Sequence, residues 1–79
     1  MIRVLFFGPL VAHVDERGMQ IEFQAGLCLQ DVVAQLQLRY PKAFELVCFT
    51  AVNEVQTHDM RMKLADQDEI AFMAKFSGG

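Results

Sequence analysis

The sequence predicts an α+β domain in which one main helix lies across a mixed sheet. Three observations carry that prediction. Alternating stretches open and close the chain, a single stretch of helical period stands between them, and polar or glycine-containing turns separate the remaining short strands. With 79 residues there is room for one core.

The elements follow in chain order. Ile2, Val4 and Phe6 alternate with Arg3, Leu5 and Phe7, a first strand that is apolar on both faces. Gly8-Pro9 ends it, because proline has no N–H to offer a ladder. A loop through His13, Asp15, Glu16 and Gly18 leads to a second strand, where Met19, Ile21 and Phe23 alternate with Gln20, Glu22 and Gln24. These two strands make a hairpin. After Gly26 the period changes: Leu29, Val32, Val33, Leu36 and Tyr40 recur on one helical face, with Gln30, Asp31, Gln35, Gln37 and Arg39 on the other. Asp31 in the first turn and Arg39 near the end suit the helix dipole. Cys28 falls where Ser, Thr, Asp or Asn usually caps a helix, and Pro41 is expected to stop it.

A second all-β stretch completes the order β-β-α-β-β-β. Val47 to Val52 reads as a buried strand whose inward parity is left open. Asn53-Glu54 is a turn leading to a short strand near Val55 to Thr57. Asp66-Gln67-Asp68 is a polar turn, and Ile70 to Phe76 is the last strand.

The most economical topology for this order places the first and last strands side by side and parallel at the sheet centre. Arg3 marks the outward parity of the first strand, together with Leu5 and Phe7. Glu69 marks that of the last strand, so Ala71, Met73 and Lys75 face away from the helix while Ile70 and Phe72 face it. Parallel neighbours have their C-terminal ends together, so Phe7 and Met73 should lie close, on the open face, beside the final residues. An exposed apolar patch in that position is a docking surface.

Composition narrows the function classes. The apolar fraction of 53 % removes the chain from the disordered class, although a core this small supplies only ~3–5 kcal/mol of net stability. The net charge of −3 and the lack of any Lys/Arg run argue against nucleic acid. No segment approaches the roughly 20 apolar residues of a membrane helix, and MIRVLFFG is too short and strand-like for a signal peptide. Cys28 and Cys48 form no CxxC pair and read as free thiols in a reducing cytoplasm. Neither His13 nor His58 has ligand spacing, so no metal is expected. None of His13, His58, Glu54, Asp59 or the thiols is spaced as a nucleophile and base.

What remains is the end of the sequence. The residues divide into a domain over 1–76 and a Ser-Gly-Gly tail over 77–79. From Ala74 an extended chain reaches on the order of 15–20 Å to Gly79. Gly78 and Gly79 lack Cβ atoms and can enter a slot too narrow for any other pair. A free α-carboxylate has a pKa of about 3.3–3.7, so it is anionic at neutral pH and a poor electrophile. Adenylation by a separate ATP-using enzyme would activate it toward an amine, a thiolate or a sulfide equivalent. Sulfide would leave a thiocarboxylate, and an amine would leave an isopeptide bond.

MIRVLFFG at the start, AVNEV in the middle and LADQDEIAFMAKFSGG at the end together resemble the small, sulfur-carrying subunit of molybdopterin synthase, in the ubiquitin-like β-grasp superfamily. The resemblance covers essentially the whole chain and implies a β-grasp fold. It implies that Gly79 is adenylated by an activating enzyme, which uses ATP, and receives sulfur from a sulfurtransferase. The resulting thiocarboxylate would donate sulfur to cyclic pyranopterin monophosphate inside the large synthase subunit of a cytoplasmic heterotetramer. On this reading the chain binds no cofactor itself and the catalytic residues lie on the large subunit. Phe7, Met73, Lys75, Phe76, Ser77 and Gly78 would form the partner-binding surface.

Two positions depart from the family. Gln67 stands where the turn usually has glycine, a penalty of roughly 1–2 kcal/mol if that residue is left-handed. Ala74-Lys75 replaces a frequent Pro-Pro pair, so more entropy is spent on ordering the tail at docking. The alternatives are the sulfur carrier of thiamine-thiazole synthesis, a ubiquitin-like modifier joined to lysines, and a non-covalent interaction module.

Overall fold

A computed structural model describes residues 1–74. Its five strands are β1 (Ile2–Phe7), β2 (Gly18–Ile21), β3 (Val47–Val52), β4 (Val55–Gln56) and β5 (Glu69–Ala74), and its two α-helices are α1 (Leu29–Arg39) and α2 (Pro41–Leu46). The sheet order is β2-β1-β5-β3-β4. β1 and β5 are parallel at its centre, and every other pairing is antiparallel. This is the expected α+β arrangement, with the first and last strands as neighbours.

Three local features differ from the sequence reading. The segment expected to be a loop after the first strand begins as a 3-10 helix over Gly8–His13, with Pro9 in its first turn. Gly8 turns the chain at φ +64, a conformation open to glycine without strain. β2 closes at Ile21, and Phe23 packs against the core from the following segment. Pro41 ends α1 but also starts α2, since proline's missing N–H is no loss in a first turn. The capping of α1 was also only half legible: the Asp31 carboxylate accepts a hydrogen bond from the Cys28 backbone N–H at 2.9 Å, the acidic half of a capping box.

The core lies between the sheet and α1. Ile2, Val4, Ile70 and Phe72 from the central strands meet Leu29, Val32 and Leu36 from the helix, all buried. An aromatic cluster extends it toward the C-terminal ends of β1 and β5. Phe6 stacks on Phe72 at 5.9 Å between ring centroids. Phe44 from α2 meets Phe72 edge-on at 5.0 Å, and Tyr40 meets Phe6 at 6.1 Å. Such pairs add to the energy of burial itself. α2 therefore has a clear task, which is to press Phe44 onto the inner side of the central strand ends.

The opposite end of the sheet is held by polar turns. Asn53 accepts from the Glu69 N–H at 3.0 Å, donates its side-chain amide to Asp68 at 2.9 Å, and donates its backbone N–H to the Glu69 carbonyl at 2.8 Å. Asp68 also accepts from the Ala65 N–H at 2.7 Å. Asn53, Glu54 and Gln67 all have left-handed backbones, with φ of +50, +70 and +74. Gln67, where the resemblance implies a glycine, is thus left-handed. Asp66 accepts from the Met1 ammonium group, and that hydrogen bond holds its carboxyl below the usual carboxylate range.

Candidate functional site

The alternation of β1 and β5 places Arg3, Leu5 and Phe7, and Glu69, Ala71 and Met73, on the face turned away from α1. Their partners Val4, Phe6, Ile70 and Phe72 are buried on the other side. The registers then stack them into rows across the sheet. Arg3 pairs with Glu69, Leu5 with Ala71, and Phe7 with Met73. The first row is polar, with Arg3 donating to the Glu69 carboxylate at 3.2 Å. The next two are apolar. Polarity on the open face therefore falls from the start of β5 toward its end.

β3 lengthens both apolar rows. Ala51 pairs with Ala71, and Phe49 with Met73. The last row thus reads Phe7, Met73, Phe49 across three strands, with both rings well exposed, Phe7 at 46 % and Phe49 at 41 %. Leu5, Ala71 and Ala51 form the row behind. Other exposed apolar side chains, such as Leu38 on α1 and Val55 on β4, belong to neither row. Contiguity is what distinguishes the row on the open face, because single exposed apolar residues are ordinary. A shallow groove lined by Leu5, Phe7, Gly8, Val11 and Arg17 borders it, so one cation stands at its margin.

Phe7 and Met73 are adjacent, as expected from parity and parallel pairing. Lys75, Phe76, Ser77, Gly78 and Gly79 lie outside the described residues, as does the boundary expected between residues 76 and 77. Phe49 was missed. The register shifts between Val47 and Phe49, leaving Cys48 as an extra residue against β5. In a run without a charged residue such a bulge hides the parity on which the reading depended. A charged residue within that strand would have exposed it.

The row has an apolar surface and no catalytic apparatus. Cys28 and Cys48 are free thiols. Among the described residues no group of three or more His, Cys, Asp or Glu side chains is placed to hold a metal ion, and no helix is long and apolar enough to cross a membrane. The rings of Phe7 and Phe49 are set on strands anchored from beneath by Phe6, Phe72 and Phe44. A partner docking there meets a surface whose backbone is already in place, so little ordering entropy is lost in the strands themselves.

Solved structures share this architecture. A chain of the complex of subunits 1 and 2 of the molybdopterin-converting factor from Helicobacter pylori is 28 % identical, with 99 % of this chain and 97 % of that chain covered at a TM-score of 0.74. SAMP1 from Haloferax volcanii is 17 % identical, with coverages of 99 % and 98 % and a TM-score of 0.82. Urm1 from Trypanosoma brucei is 21 % identical, with coverages of 99 % and 94 % and a TM-score of 0.78. No curated protein sequence matches the chain significantly. The model of the ThiS family matches residues 4–79, a span that takes in the central strands, the apolar row and both final glycines. The chain belongs to the ThiS family and has the ubiquitin-like β-grasp fold.

Proposed function

We propose that this protein is the sulfur carrier of molybdopterin synthesis, acting as a co-substrate that is consumed and recharged. The Gly79 carboxylate attacks the α-phosphorus of ATP on an activating enzyme, and pyrophosphate leaves. A sulfide equivalent supplied by a sulfurtransferase then displaces AMP from the acyl carbon, giving a thiocarboxylate. The tail enters the large synthase subunit, its sulfur bonds to cyclic pyranopterin monophosphate, and water attacks the acyl carbon to break the C–S bond, returning the tail as the carboxylate. Gly78 provides the slim approach that such a slot demands. Phe7, Met73 and Phe49 dock the body, with Lys75, Phe76 and Ser77 between body and cargo. The reaction is cytoplasmic, and the synthase is a heterotetramer whose catalytic groups belong to the large subunit.

The observation that carries this reading is the position of the apolar row. It lies at the end of β5 from which the last five residues continue to Gly79. A docked body therefore delivers the tail to whatever it is docked on. Similarity to a chain of a two-subunit molybdopterin-converting complex favours the large subunit as that partner. The shared architecture with SAMP1 favours, as a second reading, a modifier joined to lysines. The thiamine-thiazole carrier uses the same cargo chemistry and is separated only by its acceptor.

Intact-mass analysis of the protein isolated from cells tests the proposal. One terminal oxygen replaced by sulfur, with sulfur delivered to cyclic pyranopterin monophosphate when the large subunit is added, is the expected result. A ladder of lysine conjugates would assign the modifier instead. Sulfur transfer only to a thiazole precursor would assign the other carrier pathway.

A further inference from the structure

We infer that Met73 is a redox switch on the docking face, turned off when its thioether is oxidised by a peroxide. This rests on the docking role proposed for the apolar row. Of the five methionines in the chain, Met19, Met60 and Met62 pack against the hydrophobic core. Met1 stands at the far end of β1 from Phe7. Met73 alone belongs to the row, at its centre, with Phe7 as its register partner on one side and Phe49 on the other. It is half-exposed on the open face while its chain neighbours Phe72 and Ala74 are buried. A change at its sulfur is therefore felt at the docking surface and hardly in the core.

The chemistry is balanced without any further group. The Met73 sulfur attacks one oxygen of hydrogen peroxide, the O–O bond breaks, and the sulfur is oxidised by two electrons as the peroxide is reduced to water. The product is a sulfoxide, a strong hydrogen-bond acceptor, which methionine sulfoxide reductases return to the thioether at the expense of a dithiol. Between two aromatic rings on an apolar face, that S=O group would be buried by a docked partner without a donor. Burial of an unpaired polar group should weaken the complex at least about tenfold. Docking in turn covers the sulfur, so the partner protects the residue that controls it.

The full chain is exposed to graded hydrogen peroxide, then treated with dithiothreitol to restore the thiols, and oxidation at each methionine is read by peptide mass mapping. Affinity for the large synthase subunit is measured in parallel. Met73 should oxidise over the same peroxide range as Met19, Met60 and Met62, which like it are only partly buried. Affinity should fall at least about tenfold in step with Met73 sulfoxide and return after reductase treatment. The triple variant Met19→Leu, Met60→Leu, Met62→Leu should keep the full peroxide response. Met73→Leu should lose it, read as the ratio of affinities before and after peroxide. A Met73 that stays a thioether while affinity falls, or a sulfoxide form that binds as tightly as the thioether, overturns the switch. Phe7→Asp identifies which idea has failed. If that variant is weakened while the oxidised protein is not, only the switch falls. If neither is weakened, or the large subunit does not bind, the docking face itself is lost and the switch with it.

Discussion

Phe7 and Met73 face each other across parallel β1 and β5, one rung from where the described part of β5 ends. Each follows a buried aromatic, Phe6 or Phe72, in the stacked pair beneath the sheet. The strand pleat thus turns one side of two adjacent residues into core and the other into the exposed apolar row proposed as the docking surface. That coupling joins the fold to its use: the burial that anchors the strand ends is also what keeps Phe7, Met73 and Phe49 in one row.

Charge placed in that row should separate binding from folding. Phe7→Asp and Phe49→Asp each put a carboxylate where a docked partner would have to desolvate it. Affinity for the large subunit is expected to fall at least about tenfold, the scale of an interface hot spot. The wild-type circular dichroism spectrum should be retained, because both rings are already exposed. Titration calorimetry with each variant measures the first effect and thermal melting the second. Unchanged affinity for Phe49→Asp would restrict the docking surface to β1 and β5.

How much of this was readable beforehand depends on where charges fall. Arg3 and Glu69 each label the outward parity of a central strand, so Leu5, Phe7, Ala71 and Met73 could be assigned to the open face from alternation alone. Val47 to Val52 carries no such label, and the bulge at Cys48 shifts its phase, which is why Phe49 was invisible. Pro41 was ambiguous for another reason. The same ring that cannot continue one helix is well suited to begin the next, and it is tertiary burial of Ala43 and packing of Phe44 on Phe6 and Phe72 that favour α2.

Phe44→Ala should expose the role of α2. It removes a ring that contacts both Phe6 and Phe72. The loss should be about 3 kcal/mol, the lower end for a Phe truncation because Phe44 is only partly buried. Against the ~3–5 kcal/mol available to a domain of this size, that leaves a large unfolded fraction. Urea titration of the variant checks it. A shift of only a few tenths of a kcal/mol would mean that α2 is an accessory to the fold.

Removal of Gly78 and Gly79 should have the opposite profile. Neither residue has a side chain to pack, so the thermal midpoint is expected to stay where it is. On the proposed function, sulfur transfer in a reconstituted system should be abolished, because the carbonyl carbon proposed to carry the cargo is gone. Adding glycine back restores only the terminus, and its effect on transfer distinguishes loss of the reactive end from loss of reach. A marked fall in melting temperature on deletion would show that the two glycines are structural.

Gln67→Gly should make the protein more stable. Gln67 sits at φ +74 in the turn before β5, where a Cβ is penalised by about 1–2 kcal/mol. Glycine removes that strain but adds freedom to the unfolded chain, which returns about 0.5–1 kcal/mol. A net gain of about 0–1.5 kcal/mol follows, and for a domain of this size each kcal/mol raises the melting temperature by about 4–8 °C. The backbone bond from the Gln67 N–H to the Met1 carbonyl at 3.0 Å is kept by glycine. The side chain gives up only a long contact to Asp66 at 3.4 Å. Because this turn is at the end of the sheet opposite Phe7 and Met73, affinity for the large subunit should not move. Differential scanning calorimetry measures the gain. A lower melting temperature would mean that the Gln67 side chain holds the turn by more than its visible contact, and that the left-handed backbone is tolerated for that reason.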